Sequence, residues 1–177
     1  MKKQLLTLIL LAFATTSFSQ NTWIRFDGIK GESTKPQMTG KTQIEGFTWE
    51  ASIPVRVGVG ATGKRTYQPA TFIKAEGAIT PVLFQHFAQN KVIKEVVVEY
   101  WVPKTGAAAS TGAETLEYTV TFKNVMISGF KQFNGPVTDQ KFDPANNNVL
   151  YDEIKFTYTE ISVVYKMGNI EGADQTN

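Results

Sequence analysis

The side chains that most often carry out chemistry are scarce in this chain. Its 177 residues contain a single histidine, His86, and no cysteine. A zinc site needs clustered histidine and cysteine ligands, and a Ser-His-Asp hydrolase would have to use His86 beside a G-x-S-x-G turn that the sequence lacks. His86 lies in a segment with a helical pattern, where a partly buried structural histidine is the more frequent case. We therefore expect neither metal-dependent nor histidine-dependent catalysis.

Three other segments resemble binding motifs without completing them. "GATGKRT", residues 60–66, contains Gly-Lys but lacks the spacing of a phosphate-binding P-loop. Asp152 and Glu153 are neighbours on a predicted strand, so their side chains face opposite ways and cannot share a substrate. "DPANNN", residues 143–148, offers oxygen ligands but lacks the spacing of a calcium loop, and its composition favours a turn. The sequence predicts no cofactor, no metal ion and no enzymatic activity.

Aromatic residues suggest an alternative function as a binding module. Trp49, Tyr100 and Trp101 would suit a platform on which sugars stack, as in an exported β-sandwich with a sugar-binding or adhesive role. Tyr100 and Trp101 are adjacent on one predicted strand and therefore point to opposite faces. Only one of them can be exposed if the other lies in the core, and packing in the core is the more frequent role. The binding module stays open as the alternative.

The first 19 residues have the layout of a secretory signal peptide. Two lysines precede an apolar run, Leu5–Ala14, and Ser17 and Ser19 supply the small residues of a cleavage site. The run is shorter than the roughly 20 residues that span a bilayer, and no later segment is long and apolar enough to do so. We expect cleavage after Ser19 and export, to the periplasm or outside the cell, of one domain comprising residues 20–177.

Removal of this segment leaves a neutral protein. The full chain has 18 basic and 16 acidic residues; two of the 18 lie in the first 19 residues, which contain no acid, so 16 of each sign remain. A neutral chain does not attract nucleic acid or an anionic membrane through bulk charge. Because an exported chain without cysteine has no disulfides, burial of apolar surface must hold the fold together.

Most of the chain alternates apolar and polar residues with the two-residue period of β-strands. In "LEYTVTFKNVMI" the apolar positions change phase at Asn124, and in "EIKFTYTEISVVY" they change phase between Tyr158 and Ile161. A change of phase within a strand is typical of a β-bulge or a sharp bend. Two long strands bent in this way predict an all-β fold, an antiparallel β-barrel of two curved sheets.

One segment has the pattern of a helix. Thr80 is suited to the N-cap, and Leu83 and Phe87 place an apolar stripe on one face. The sequence predicts a single α-helix over residues 80–90, between the strands "TYQPATFIK" and "VIKEVVVEYWV". Pro69 cannot donate to a ladder, so its strand is an edge strand or is interrupted there.

The segment Ile53–Arg65 is too apolar for an ordinary solvated loop. Its valines alternate with glycine and polar residues, and no helical partner is evident. A loop of this kind can bury its apolar side by packing against another copy of the protein. The candidate interface residues are Val55, Arg56, Val57, Val59, Lys64 and Arg65.

The order of these segments resembles the Hcp family, the haemolysin-coregulated tube proteins of type VI secretion systems. "WIRFDGIKGES", residues 23–33, is similar to the N-terminal signature of that family, and the match continues through "IEGFTWEASIPV" and the strand–helix–strand order to about residue 167. The resemblance implies a compact β-barrel with one helix, assembled into hexameric rings that stack into a tube. It also implies spike, sheath and effector proteins as partners. Within the signature, "DGIKGES" reads as a turn in which Gly28 and Gly31 supply permissive backbone.

The signal peptide departs from that family, whose tubes are assembled in the cytoplasm. The departure leaves two interpretations open. One is a relative that builds rings outside the cytoplasm. The other is an exported β-barrel or β-sandwich binding module that reuses the fold.

Overall fold

The computed structural model describes residues 21–176 apart from 59, 62, 105–112 and 135–148, and it leaves the side chain of Arg56 undescribed. The signal peptide, Val59 and the "DPANNN" turn therefore lie outside the described residues. Within them, the elements are β1 Asn21–Phe26, a 3₁₀ turn Pro36–Met38, β2 Thr42–Ile44, β3 Gly46–Thr48, β4 Ala51–Ser52, β5 Val55–Arg56, β6 Gly60–Ala61, β7 Thr66–Tyr67, β8 Ala70–Ala75, α1 Thr80–Ala88, β9 Ile93–Pro103, β10 Glu114–Asn134, β11 Leu150–Thr157, β12 Glu160–Tyr165 and β13 Ile170–Gln175.

Two antiparallel sheets share the long strand β10. The first has the order β2-β1-β9-β10-β12-β13, and the second has the order β10-β11-β8-β3. The chain crosses between the sheets again at Glu45, which separates β2 from β3 and whose N–H donates to the carbonyl of Ile73 at 2.8 Å. The predicted all-β, antiparallel class is confirmed. The strand pairing does not close the barrel, however, because β2, β3 and β13 are left as edges in the described part.

The predicted changes of phase lie at bends. Asn124 adopts a left-handed backbone with φ of 50° inside β10. The buried apolar residues on either side of it are Val120, Phe122, Val125 and Ile127. The second segment is divided at its change of phase into β11 and β12, and between them the N–H of Thr159 donates to the carbonyl of Lys123 at 3.0 Å. Both strands therefore bend at the same place, which curves the two sheets around one core.

Aromatic rings occupy the centre of this core. The ring centroid of Phe122 lies 5.2 Å from that of Phe156 and 4.7 Å from that of Tyr158, and both contacts are edge-to-face. The ring centroids of Phe72 and Phe156 are 6.2 Å apart. Such pairs contribute about 0.5–1.5 kcal/mol each beyond the burial of their area. The apolar side of α1 covers the core through Leu83, which is fully buried.

The single α-helix of the described part lies where it was predicted, but it ends at Ala88 instead of residue 90 and its N-cap differs. Thr80 is not the N-cap: Ile79 holds that position. The Thr80 hydroxyl instead donates to Asp152 and accepts from the N–H of Gly77 at 3.1 Å. The prediction failed because a nearby buried carboxylate competes for this hydroxyl, and such a partner cannot be read from local sequence.

Two further features of the strands differ in how well the sequence predicted them. The interruption expected at Pro69 is confirmed, because β7 ends at Tyr67 and β8 begins at Ala70. β13 was not predicted. Five of its six residues are exposed, so it lacks the alternation of buried and exposed positions that marks the other long strands.

Candidate subunit interface

The chain between β3 and β8 leaves the sheets as a projecting arm. β4 pairs with β7 at its root, and β5 pairs with β6 near its tip. These four strands pair with each other and with no other strand in the described chain. Gly58 and Gly60 have φ of 81° and 85°, a region open to glycine, and allow the chain to turn at the tip. We call residues 49–68 the hairpin.

Apolar side chains of the hairpin face solvent. Val57 at the tip exposes its whole side chain, Val55 exposes 66% and Ile53 exposes 41%. Isolated exposed apolar residues are ordinary, but a group of them on one projecting arm is typical of an interaction site.

The charge of the hairpin is mostly positive, with one acidic residue, Glu50, at its root. Its basic residues are Arg56, Lys64 and Arg65, and no acidic residue lies between Ala51 and Ile73. Of the six predicted interface residues, the structure places the side chains of Val55, Val57, Lys64 and Arg65 on the exposed hairpin. Val59 and the side chain of Arg56 lie outside the described part. The hairpin therefore presents an apolar tip, and the described basic side chains, Lys64 and Arg65, lie nearer its root.

The root of the hairpin contacts the C-terminal strand. Arg65 Nη1 lies 2.8 Å from Asp174 Oδ2, and the Tyr67 hydroxyl donates to the same oxygen. The hydrogen bond from Tyr67 holds the pKa of Asp174 below its usual value, and Arg65 adds to this effect. The same hydrogen bond raises the pKa of Tyr67. Sequence reasoning missed Asp174, because it lies in the unpredicted strand β13.

The "DGIKGES" segment is a turn, as predicted, but its second half also makes tertiary contacts. Gly28 has the positive φ of a turn, 75°. Gly31 has a different role: a Cβ there would overlap the backbone carbonyl of Lys41, so the position needs close backbone approach. The Glu32 carboxylate accepts from the N–H of Ile79 at 2.8 Å. Glu32 thus caps the first turn of α1, a role that local sequence does not reveal.

Asp152 and Glu153 face opposite ways, as predicted. Asp152 is fully buried, lies 3.3 Å from Lys74 Nζ and accepts from the Gln132 amide at 2.9 Å. Glu153 lies outside, 3.6 Å from both Lys131 and Lys155. The buried pair joins β8 to β11 and is a structural element of the fold.

His86 and the acidic side chains of the described residues do not form a metal-binding cluster. His86 lies half-buried in the last turn of α1, where burial, with a smaller contribution from Lys91, lowers its pKa. Among the residues with described positions, no group of three histidine, cysteine or acidic side chains could hold a metal ion. The described helices include none with the length and apolar character needed to cross a membrane.

The three aromatic residues of the binding-module alternative do not share a face. Tyr100 packs edge-to-face on Tyr118 at 5.6 Å. On the opposite side of β9, Trp101 donates to Glu99 at 2.8 Å. Trp49 lies at the start of the hairpin and is 36% exposed. The geometry therefore does not assemble one stacking platform from them.

Comparison with known proteins shows the family to which the chain belongs. The model of a family described as the type VI secretion system effector Hcp matches residues 23–165. The chain belongs to the Hcp family. This match covers most of the chain, from β1 to the end of β12, and ends before β13. Hcp is a structural tube protein of the type VI secretion system, so the resemblance seen in the signature segments is confirmed at the level of the family.

Solved structures of Hcp proteins share the fold over nearly their whole length. A crystal structure of an Hcp protein has a TM-score of 0.75 at 14% identity, with 90% of this chain and 99% of that chain covered. A mutant of Hcp1 from E. coli EAEC 042 has a TM-score of 0.68 at 22% identity, with coverage of 91% and 100%. The secreted protein Hcp3 from Pseudomonas aeruginosa has a TM-score of 0.65 at 15% identity, with coverage of 91% and 99%. At these identities the likeness concerns the fold. A search of curated protein sequences finds no match.

Proposed function

We propose that this Hcp protein is the subunit of a hexameric ring in which the hairpin of each copy packs on its neighbour. The rings stack into a tube that carries effector proteins. The observation that supports this proposal is the exposed apolar tip of the hairpin, with Val57 wholly in solvent. The family is one of tube proteins, and a tube subunit needs a surface of this kind for self-association.

Burial of the tip would supply much of the association energy. Each valine side chain that moves from water into an apolar contact contributes about 1.5–3 kcal/mol. The short ladders of the hairpin also have unpaired edges, and pairing with a sheet edge of the neighbour would satisfy their backbone groups. In this contact the hairpin of one copy packs on a different surface of the next copy. Such a contact between two unlike surfaces is heterologous. Repeated around a closed rotation, such a contact gives a ring.

The substitution Val57→Asp tests this role. A charge at the tip should leave a monomer, because burial of an unpaired carboxylate is unfavourable. Multi-angle light scattering on the mature protein should show about six times the monomer mass for the wild type and the monomer mass for the variant. Val92→Asp is a matched control, since Val92 is an exposed valine (57%) outside the hairpin, and it should still form rings.

A monomeric wild type at high concentration would contradict the ring and tube. The exported binding module would then be the better account. If Val92→Asp disrupted assembly and Val57→Asp did not, the ring would stand but the hairpin would not be its contact.

We also propose export before assembly, because residues 1–19 have the layout of a signal peptide. Mature protein from the native host should begin at Gln20, as N-terminal sequencing of periplasmic and extracellular fractions would show. Recovery of an intact Met1 in the cytoplasm would overturn export and favour a tube assembled inside the cell, with sheath and spike proteins as its partners.

A further inference from the structure

The C-terminal strand β13 lies against the root of the hairpin. Asp174 pairs in register with the buried Ile161 of β12, and its carboxylate meets the arm of the hairpin that returns to the sheet. A single oxygen, Oδ2, accepts the Tyr67 hydroxyl and lies 2.8 Å from Arg65 Nη1. The hydrogen bond joins Tyr67 and Asp174, which are 107 positions apart in the chain. We call Asp174, Arg65 and Tyr67 the latch.

Both sides of the latch are anchored to the same bend of the sheet. The ring of Tyr67 packs edge-to-face on Tyr158 at 6.2 Å. Immediately after β13, the Thr176 hydroxyl donates to the carbonyl of Tyr158 at 2.7 Å. The backbone N–H of Thr176 donates to the carbonyl of Thr159 at 2.9 Å. Asp174 is therefore held at a fixed distance from the core, and it can hold the hairpin root in turn.

The hairpin needs such an anchor because its own pairing is short. Two residue pairs form the root ladder and two form the tip ladder. Two-stranded ribbons are marginally stable without support from a third element, and ladders of two pairs do not fix the direction in which an arm projects. The latch supplies a contact between the arm and a strand of the main sheet.

We propose that Asp174 is a positioning residue that, through Arg65 and Tyr67, fixes the direction of the hairpin for subunit contact. The C-terminal strand thereby controls assembly, although it lies beyond residues 23–165, which match the family. The effect on assembly depends on the proposed function, whereas the restraint on the hairpin does not.

Limited proteolysis tests the restraint without a ring. Lys64 is a trypsin site next to the latch residue Arg65. In a monomeric Val57→Asp background, Asp174→Ala should accelerate cleavage after Lys64 roughly two- to fivefold, the range typical of losing partly exposed polar contacts. Tyr67→Phe, which keeps the ring and removes the hydroxyl, should give a smaller acceleration in the same direction.

Glu171→Ala is the matched control, because Glu171 is an exposed carboxylate of the same strand and pairs in register with Val164, outside the latch. It should leave the cleavage rate unchanged. Thermal unfolding of every variant separates the local effect from global destabilisation. If Asp174→Ala unfolds, Asp174→Asn provides the test, since it keeps the size and an acceptor for Tyr67 while removing the charge near Arg65. Equal cleavage rates in the latch variants and the control would overturn the restraint.

The same substitutions with Val57 intact test the effect on assembly. Asp174→Ala should raise the protein concentration at which rings dissociate, measured by light scattering during dilution, while Glu171→Ala should not. Faster cleavage with unchanged dissociation would overturn the positioning role. A wild type that never forms rings would contradict the proposed function, and the cleavage rates would still decide the restraint.

Discussion

The substitution Asp152→Ala would remove one half of a buried ion pair. Lys74 Nζ lies 3.3 Å from Asp152 Oδ2, and the two side chains are 1% and 0% exposed. Lys74 also contacts the Ala75 carbonyl at 2.6 Å and Thr80 Oγ1 at 3.0 Å. These neutral oxygens would remain in the variant, but the compensating charge inside the fold would be gone.

The expected loss follows from this burial. Removal of one partner from a buried pair costs about 3–5 kcal/mol, because the remaining charge is left uncompensated. The Glu32 carboxylate, 3.8 Å from Lys74 Nζ and 29% exposed, offers a weak replacement. We therefore expect a loss near the lower end, about 3 kcal/mol. The free energy of unfolding of a domain is commonly about 5–15 kcal/mol. The variant should therefore still fold, but with a much smaller free energy of unfolding.

Urea unfolding followed by tryptophan fluorescence measures this loss, with the buried Trp23 as one reporter. The comparison should be made in the Val57→Asp background, since oligomerisation would otherwise add concentration-dependent stability. The double variant Lys74→Met with Asp152→Leu removes both charges and fills the space with apolar atoms, and it should recover most of the loss. A loss below about 1 kcal/mol for Asp152→Ala, or a double variant less stable than the single one, would refute this reasoning.

Three further predictions concern the N-terminal turn and the core. Gly31→Ala should lower the thermal unfolding midpoint more than Gly28→Ala does. A Cβ at Gly31 would overlap the Lys41 carbonyl, whereas a Cβ at Gly28 would meet open space and only the positive φ opposes it. Equal shifts of the midpoint would contradict the steric role of Gly31. Glu32→Ala should reduce the free energy of unfolding in urea by about 1 kcal/mol through loss of the helix cap, and an unchanged midpoint would mean that water replaces the carboxylate. Burial raises the pKa of Tyr158 from 10.0 to about 12. The unfolded chain therefore loses the Tyr158 proton at a lower pH than the folded protein does. The contribution of Tyr158 to stability is complete below pH 10 and should fall as the pH rises toward 12. Tyr158→Phe should flatten the decline in urea stability over that range, and a variant that declines as steeply as the wild type would exclude Tyr158 as its source.

The elements of the fold were largely predictable because their signals are local. Alternation with a period of two follows from strand geometry, so the strands around Val98 and Val120 could be recognised without knowledge of their neighbours. The change of phase at Asn124 and the interruption at Pro69 are likewise properties of a few adjacent residues. The apolar character of Ile53–Arg65 identified the projecting segment, and the signature segments identified the family.

The contacts that hold these elements in place were decided by the tertiary structure. Glu32 reaches the start of α1 across 47 residues, Lys74 reaches Asp152 across 78, and Tyr67 reaches Asp174 across 107. Each pair depends on which strands become neighbours in the sheets, and that order is not encoded in the period of any single strand. β13 escaped prediction for a related reason: an exposed edge strand has little apolar surface to bury, so its backbone pairing with β12 leaves no hydrophobic pattern in the sequence.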